Sequence, residues 1–362
     1  DDDVYRTAAA VDAADKARNG NQGYDSDGNE VVPDKSGKIE PLKALDHDKI
    51  QYEPFCKDFY TPAADIAAMS EGKVHEARRQ LAIRVSGFDA PRPVKTFAQC
   101  GLDGVLLAAV RKAGYEAPTP IQAQGLPAAL CGRDVLGIAK TGSGKTATFV
   151  LPMLVHIMDQ PELERGEGPI GVIVAPTREL AEQIHKECRR FGKAYSLRMC
   201  AAFGGLSKLD QFKDLKAGSE VVVCTPGRLI DLIKMKACTM RRATYLVFDE
   251  ADRMFDMGFE PQVRSIIGQI RPDRQTLLFS ATMPRKVEGL VRDALSAPIR
   301  ITVGDVGAAN TDIKQTVEVL PTDAAKMPWL QHRLPEFIDA GDVLVFANQK
   351  ARVDEITRTL QA

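Results

Sequence analysis

Between residues 96 and 303, short β-branched runs alternate with longer amphipathic ones, and this alternation leaves the chain very few folds. The runs read DVLGIA, GVIVAP, RMCAAF, EVVVCTP, TYLVFDE, QTLLFSAT and IRITV. They are apolar on successive residues, as strands are when helices cover both faces of their sheet. Strand–helix alternation of this kind builds βαβ units and hence a parallel sheet. Polar or charged residues stand just after the strands: Lys145, Thr177, Thr225, Asp249 and Ser280. Open α/β sheets bind ligands at those carboxyl ends. The expected fold is therefore α/β, a parallel sheet flanked by helices, with its chemistry along one end.

GIAKTGSGKT at 137–146 reads as a phosphate cradle running from Ala139 through Thr141, Gly142, Ser143 and Gly144 to Lys145 and Thr146. The two glycines permit a tight turn that aims successive N–H groups inward, and the helix behind adds its positive dipole end. Lys145 is placed to reach the β- and γ-phosphates, and the Thr146 hydroxyl to ligate Mg²⁺. Ala139 stands where a leading glycine is expected, but that position needs only a small residue. About a hundred residues later, YLVFDEAD (245–252) ends an apolar run in Asp249 and Glu250. An acid there can hold Mg²⁺ through water, and its neighbour can polarise an attacking water. Taken singly, an Asp-Glu pair is usually surface charge, and Thr177 and Thr225 are simple helix N-caps. The cradle and the acid pair together predict nucleotide hydrolysis by Lys145, Asp249 and Glu250.

VFDEAD, SAT at 280–282, PTREL at 176–180, TPGR at 225–228 and AKTGSGKT together resemble the DEAD-box family of ATP-dependent RNA helicases, from about residue 96 onward. The resemblance implies a RecA-like ATP-binding lobe over 96–303. GYEAPTPIQ (114–122) is similar to the family's adenine-reading Q motif, in which Gln122 would pair with the base. Phe97 stands where the family places a stacking aromatic. RNA contacts would then fall to Pro176, Thr177, Arg178, Gly204, Gly205, Thr225, Pro226, Gly227 and Arg228, and coupling to the γ-phosphate site to Ser280, Ala281 and Thr282. Hydroxyls, helix N-termini and arginines suit a reader of single-stranded RNA backbone that ignores sequence. The implied activity is RNA-dependent ATP hydrolysis with Mg²⁺, in which two lobes close on ATP and RNA, bend one strand and remodel short duplexes or RNA–protein complexes. The alternative is an ATP-gated RNA clamp or assembly scaffold. A GTPase switch is weaker, since Gln122 favours adenine and no Asn-Lys-x-Asp guanine reader is present.

The flanks extend this reading. Residues 1–50 are acidic, lack hydrophobic periodicity and predict a disordered arm. Residues 51–95 carry Tyr52, Phe55, Phe59 and Tyr60, which predict docking onto the globular body or onto a partner. A short helix over EGKVHEARRQLAI and a Pro-rich turn at 90–95 follow. A linker, GDVGAANTD at 304–312, precedes the start of a second RecA-like lobe at 313–362, with an expected strand DVLVFAN (342–348) and a closing helix KARVDEITRTLQ. No His-Arg-x-Gly-Arg segment, which the family uses to stabilise the transferring phosphoryl, occurs in the 362 residues. Together with the non-methionine start, this reads as a truncated chain that binds ATP·Mg²⁺ but hardly hydrolyses it. YDSDGN, the aromatic arm, RVSG and RPDRQTLLFSAT look most like the family's pre-mRNA splicing subgroup. That resemblance implies spliceosomal proteins gripping the arm of a monomer, in the nucleus with the cytoplasm as a second site.

Composition limits the rest. A net charge of −1 argues against a general basic field for nucleic acid, although arginines cluster in CRRFGKAYSLR and MRRA. Seven scattered cysteines without a Cys-x-x-Cys pair argue for a reducing compartment and against a zinc site. ATFVLPMLVHIM is too short for a membrane span and predicts a buried helix.

Overall fold

The computed structural model describes residues 6, 41–164, 166–304 and 314–361. The chain divides into two compact units, one ending at Gly307 and one beginning at Ala308. Most of the arm expected over 1–50, and residues 305–312 of the expected linker, lie outside the described residues.

The first unit is built on eight strands: β1 (Ile83–Ser86), β2 (Val135–Ile138), β3 (Gly171–Val174), β4 (Met199–Ala202), β5 (Val221–Cys224), β6 (Tyr245–Phe248), β7 (Gln275–Ser280) and β8 (Ile299–Val303). They lie in the order β1-β8-β2-β7-β6-β3-β5-β4. Every pairing from β8 to β4 is parallel, as the alternation predicts. Successive residues of the central strands feed opposite layers. Val247, Leu277 and Phe279 join a core with helices Pro120–Leu130, Lys145–Met158 and Arg178–Gly192. Leu246, Phe248 and Leu278 join a second core with helices Pro226–Lys234, Glu260–Ile267 and Arg285–Ala294. Burying a Val, Leu or Phe side chain is worth about 1.5–3 kcal/mol, so the central strands are held from both sides, whereas β8 gives only Ile299, Ile301 and Val303 to the first core and leaves Arg300 exposed. The apolar stretch after the phosphate cradle is the buried helix Lys145–Met158.

β1 was not legible in advance. Its four residues, IRVS, follow the helix Glu71–Gln80 and pair antiparallel with β8, so the sheet takes in chain from upstream of the turn at 90–95.

Residues 41–60 run across the amino-terminal end of the sheet. The expected disorder does not extend over 41–50: Leu42 N–H donates to Ser265 Oγ at 2.6 Å, and His47 Nε2 lies 3.1 Å from Gly268 O. Leu42, packed against the second core, and His47 supply anchors that a composition-based reading overlooks. The aromatics dock on the chain's own body. Tyr52 and Phe55 flank the Arg271 guanidinium, with ring centroids 4.6 and 4.7 Å from its carbon. Arg271 also donates to Glu53 O at 2.8 Å and forks onto Asp273. Phe55 and Phe59 meet the His156 ring edge-on at 5.5 and 6.1 Å.

The second unit contains helices Lys326–Ala340 and Lys350–Gln361, and Arg352 pairs with Asp323 at 3.2 Å. The strand expected over 342–348 does not form. Leu344 and Phe346 are 83% and 89% exposed. A strand needs a hydrogen-bonded neighbour, and the described residues of this unit include no other strand.

His156 generates a prediction. Burial, with a smaller contribution from Lys57, pushes its pKa from 6.5 down to about 3. Below its ordinary pKa the unfolded chain therefore takes up a proton that the folded chain refuses. Stability is retained above about pH 6.5 and falls by about 1.4 kcal/mol per pH unit below it, until the folded pKa is reached. Urea unfolding of the wild-type chain and of His156→Gln should show their stability gap shifting by about 2 kcal/mol in favour of the variant between pH 7.5 and pH 5. An unchanged gap would contradict a neutral buried imidazole.

Candidate functional site

The strand order sorts the motifs into two groups at the carboxyl end of the sheet. β2, β7 and β6 are neighbours and lead into the phosphate cradle, Ser280–Thr282 and Asp249–Glu250. β3, β5 and β4 are also neighbours and lead into Pro176–Arg178, Thr225–Arg228 and Gly204–Gly205.

In the first group the cradle is stitched to its surroundings. Ala139 N–H donates to Ser280 O at 3.1 Å, joining the start of the loop to the end of β7. Gly142 and Gly144 both take positive φ, +80° and +92°. Thr119 O–H donates to Ser143 O at 2.8 Å, and Gln122 Nε2 donates to Gly144 O at 3.0 Å. Gln122 Oε1 in turn accepts Thr119 N–H at 2.9 Å. The amide expected to read a base is thus engaged with the chain at both ends, and it retains one N–H and one lone pair. Phe97 lies inside the core at 5% exposure with its ring tilted against Tyr115, so the structure buries it instead of presenting it as an open stacking platform.

Lys145 Nζ is buried, 3.3 Å from Ala139 O and 3.7 Å from Asp249 Oδ1. Burial pushes the Asp249 carboxyl above its usual range; Lys145 opposes that shift and Glu250 adds to it. Glu250 sits at φ +51°, a left-handed conformation that turns its side chain back to the cradle. Its Oε1 lies 3.5 Å from Thr141 Oγ1, and its Oε2 accepts from Arg253 at 3.3 Å. Asp252 ties this corner to β7: its Oδ2 accepts both N–H and O–H of Thr282, at 2.9 and 2.7 Å, and its N–H donates to Ser280 Oγ at 3.2 Å. Burial alone would raise the Asp252 pKa, but these hydrogen bonds outweigh it and hold the carboxyl below its usual range.

The fit to a triphosphate rests on two features. The Ser143 hydroxyl is buried with no protein partner, and the buried Lys145 ammonium lies 3.3 Å from Ala139 O at the start of the loop, whose Gly144 is backed so closely by the chain that a Cβ there would meet Gln122 Nε2 at 2.7 Å and Thr119 Oγ1 at 2.8 Å. Inward N–H groups, a buried ammonium and the exposed Thr141 suit phosphate oxygens. Thr146 and Asp249 could offer Mg²⁺ one hydroxyl and one carboxylate, and a site with so few protein ligands would suit an ion held mostly by water and phosphate. Among the described residues no group of three or more His, Cys, Asp or Glu could hold a metal alone.

In the second group Thr177 caps helix Arg178–Gly192, its Oγ1 accepting Leu180 N–H at 3.3 Å. Thr225 makes no side-chain cap contact before helix Pro226–Lys234, so its hydroxyl is uncommitted to the helix end. Two arginines converge on the Gly204–Leu206 turn. The Arg178 guanidinium lies over Gly205, where φ is +78° and a Cβ would collide with it. Arg228 donates to Gln211 Oε1 at 3.2 Å and to Leu206 O at 3.5 Å. Pro176 and Pro226 are buried, the latter at the first helical position, where its fixed φ suits the turn.

Thr119 and Asp252 were not singled out from the sequence. Each is a letter of a recognised segment, but only the folded geometry shows Thr119 clamping the cradle and Asp252 tying the acid pair to Thr282. Replacing Gly144 by alanine should destabilise the chain by about 1–3 kcal/mol, because a left-handed φ and two blocked hydrogen-bonding neighbours coincide there. A chemical denaturation midpoint unchanged from wild type would contradict that packing.

Residues 119–290 match the DEAD/DEAH box helicase family. The chain is 65% identical over 360 residues to the DEAD-box ATP-dependent RNA helicase 24 of Oryza sativa, covering 99% of this chain and 46% of that protein. It is 56% identical over 338 residues to the ATP-dependent RNA helicase DDX42 of Homo sapiens, covering 93% and 36%. The chain therefore spans less than half the length of these relatives. The crystal structure of the yeast DEAD-box splicing factor Prp28 matches with a TM-score of 0.63 and 31% identity, over 82% of this chain and 70% of that one. The RNA-helicase Prp28 of Chaetomium thermophilum, solved bound to ADP, matches with a TM-score of 0.62 and 36% identity, over 81% and 70%. With its RecA-like sheet and these motifs, the chain belongs to the DEAD-box RNA helicase family.

Proposed function

We propose that the chain is the ATP-binding lobe, with adjoining segments, of an ATP-dependent RNA helicase that remodels short duplexes or RNA–protein complexes. The observation that carries this reading is the Asp252–Thr282 link. It makes the acid pair beside the cradle and the SAT segment one hydrogen-bonded unit, so a change at the γ-phosphate position moves both. In this reading the Gly142–Lys145 backbone and the Lys145 ammonium bind the phosphates of ATP. Bound Mg²⁺ would neutralise developing charge on the phosphates, with Thr146 and Asp249 holding it and its waters. Glu250, at the lip of the cradle, orients the attacking water and accepts its proton. Thr177, Arg178, Gly205, Thr225 and Arg228 grip the sugar-phosphate backbone of one RNA strand.

The splicing assignment is part of the same proposal. It draws on the flanking segments and on the likeness to Prp28, described as a splicing factor, and it implies a nuclear monomer that meets spliceosomal proteins through its amino-terminal arm. Phe97 and the free half of the Gln122 amide are proposed to form the adenine side of the pocket, which requires movement about Tyr115 on binding.

On its own, the 362-residue chain should bind an ATP analogue in preference to GTP yet turn ATP over slowly. Arginines of the missing His-Arg-x-Gly-Arg type are worth about 10³–10⁵ in rate. RNA-stimulated turnover by this chain at about 1 s⁻¹ or faster would overturn that expectation. In the full-length protein, Glu250→Gln should slow ATP hydrolysis by about 10²–10⁴-fold while ATP and RNA still bind. A remodelling enzyme with that substitution would stay locked on RNA and lose duplex separation. Unimpaired function would favour the clamp or scaffold instead.

A further inference from the structure

Helix Pro120–Leu130 secures two neighbouring elements at once. Gln122 holds the phosphate cradle through Gly144 O, and the next two residues hold the segment that carries Phe97. Ala123 O accepts Val94 N–H at 2.9 Å, and the fully buried Gln124 donates from Nε2 to Pro91 O at 2.7 Å. Phe97 opens a short turn, Phe97–Cys100, with Thr96 as its N-cap. Gln99 closes that cap: its Oε1 accepts Lys95 N–H and Thr96 N–H at 2.8 and 3.0 Å. Displacing the Phe97 backbone therefore carries Thr96 and Gln99 with it.

The chain upstream grips this same segment at three points. Gln99 Nε2 donates to Asp65 Oδ2 at 2.5 Å. Arg92 donates to Ala67 O at 3.1 Å, with the Glu71 carboxylate 3.7 Å away. Arg78 forks, giving one N–H to Gln124 Oε1 at 2.9 Å and another to Pro91 O at 3.1 Å. Ile66 and Val74, 1% and 2% exposed, seat the two helices that supply these groups, so the grip has a fixed base. Core packing against Tyr115 buries the Phe97 ring, and the three ties add a restraint on the backbone that bears it.

On the nucleotide reading given above, Phe97 has to leave its place against Tyr115 to meet the base. Resting on that reading, we infer that residues 61–80 restrain adenine recognition. Asp65, Arg78 and Arg92 are positioning residues that keep Phe97 in the core, and the base is taken up as their ties yield. A site whose competent form is a fraction of the population has its affinity reduced by that fraction, so loosening the ties strengthens binding. The gain belongs to the base and not to the phosphates, because the ties end on Pro91, Gln99 and Gln124 and leave the Gly142–Lys145 loop alone.

Isothermal titration calorimetry of the 362-residue chain with Mg·ATP and with Mg·tripolyphosphate, which has no base, tests this. Losing one ordinary hydrogen bond shifts an equilibrium by about two- to tenfold. Asp65→Ala with Arg92→Ala should therefore tighten ATP binding by about threefold to tenfold and leave tripolyphosphate within about twofold. Arg78→Lys keeps the charge but cannot fork onto both acceptors, and should shift ATP in the same direction. Amide exchange at 94–100 should quicken in the double variant while 135–138 and 277–280 stay as in wild type, a pattern that general destabilisation does not give. Should the double variant fold poorly, Asp65→Ala alone, at an exposed bond, decides the question. If wild type prefers ATP to tripolyphosphate but the variants bind ATP unchanged or more weakly, the inference is overturned and the nucleotide site stands. Both ligands shifting together would overturn it as well. Equal binding of the two ligands by wild type would remove the base pocket itself, and this inference with it.

Discussion

The parallel register of β2, β7 and β6 is the constraint on which the rest of the site depends. Ile138 lies beside Ser280 and Phe248 beside Leu278, so the cradle and the acid pair each leave the sheet one strand from the SAT segment between them. Both faces of these strands are buried, and a slip of one residue would send every core side chain to the wrong layer. The packing that stabilises the sheet therefore also sets the distance from Lys145 to Asp249 and from Asp252 to Thr282.

A buried ion pair such as Lys145–Asp249 is a poor device for stability, since desolvating two charges costs about as much as their attraction returns. Burial has already pushed Asp249 toward its neutral form, with Glu250 adding to the strain. An anionic ligand and a divalent cation would relieve both partners at once. The same logic applies to the Ser143 hydroxyl, buried without an acceptor at the turn of the cradle. These groups are arranged for something other than the resting chain. Asp252 is different: four hydrogen-bonding groups from Ser280, Thr282 and Arg253 surround it, and it reads as a fixed joint.

Much of this was legible in the sequence because apolar runs buried on both faces announce parallel strands, and the polar residues behind them announce a site. Lys145, Thr177, Thr225, Asp249 and Ser280 were found that way, Arg178 and Arg228 came only with the family resemblance, and the structure brings all of them to one end of the sheet. What escaped depends on non-local pairing. β1 is four residues long and gains its identity only from β8, while DVLVFAN has strand composition but no neighbour among the described residues. Phe97 carries the right residue type at the right spacing, yet its burial against Tyr115 is a fact of packing. Thr119 and Asp252 act through bonds to residues 24 and 30 positions away, which no periodicity records.

The central claim is that nucleotide and RNA use separate strand groups at one end of one sheet, β2–β7–β6 and β3–β5–β4. Amide hydrogen exchange of the chain with a non-hydrolysable ATP analogue and Mg²⁺, and separately with single-stranded RNA, tests it most directly. The nucleotide should protect 139–146, 249–252 and 280–282, and RNA should protect 176–180, 204–206 and 225–228. RNA protection confined to β1 and helix Glu71–Gln80, or nucleotide protection absent from the cradle, would contradict the account.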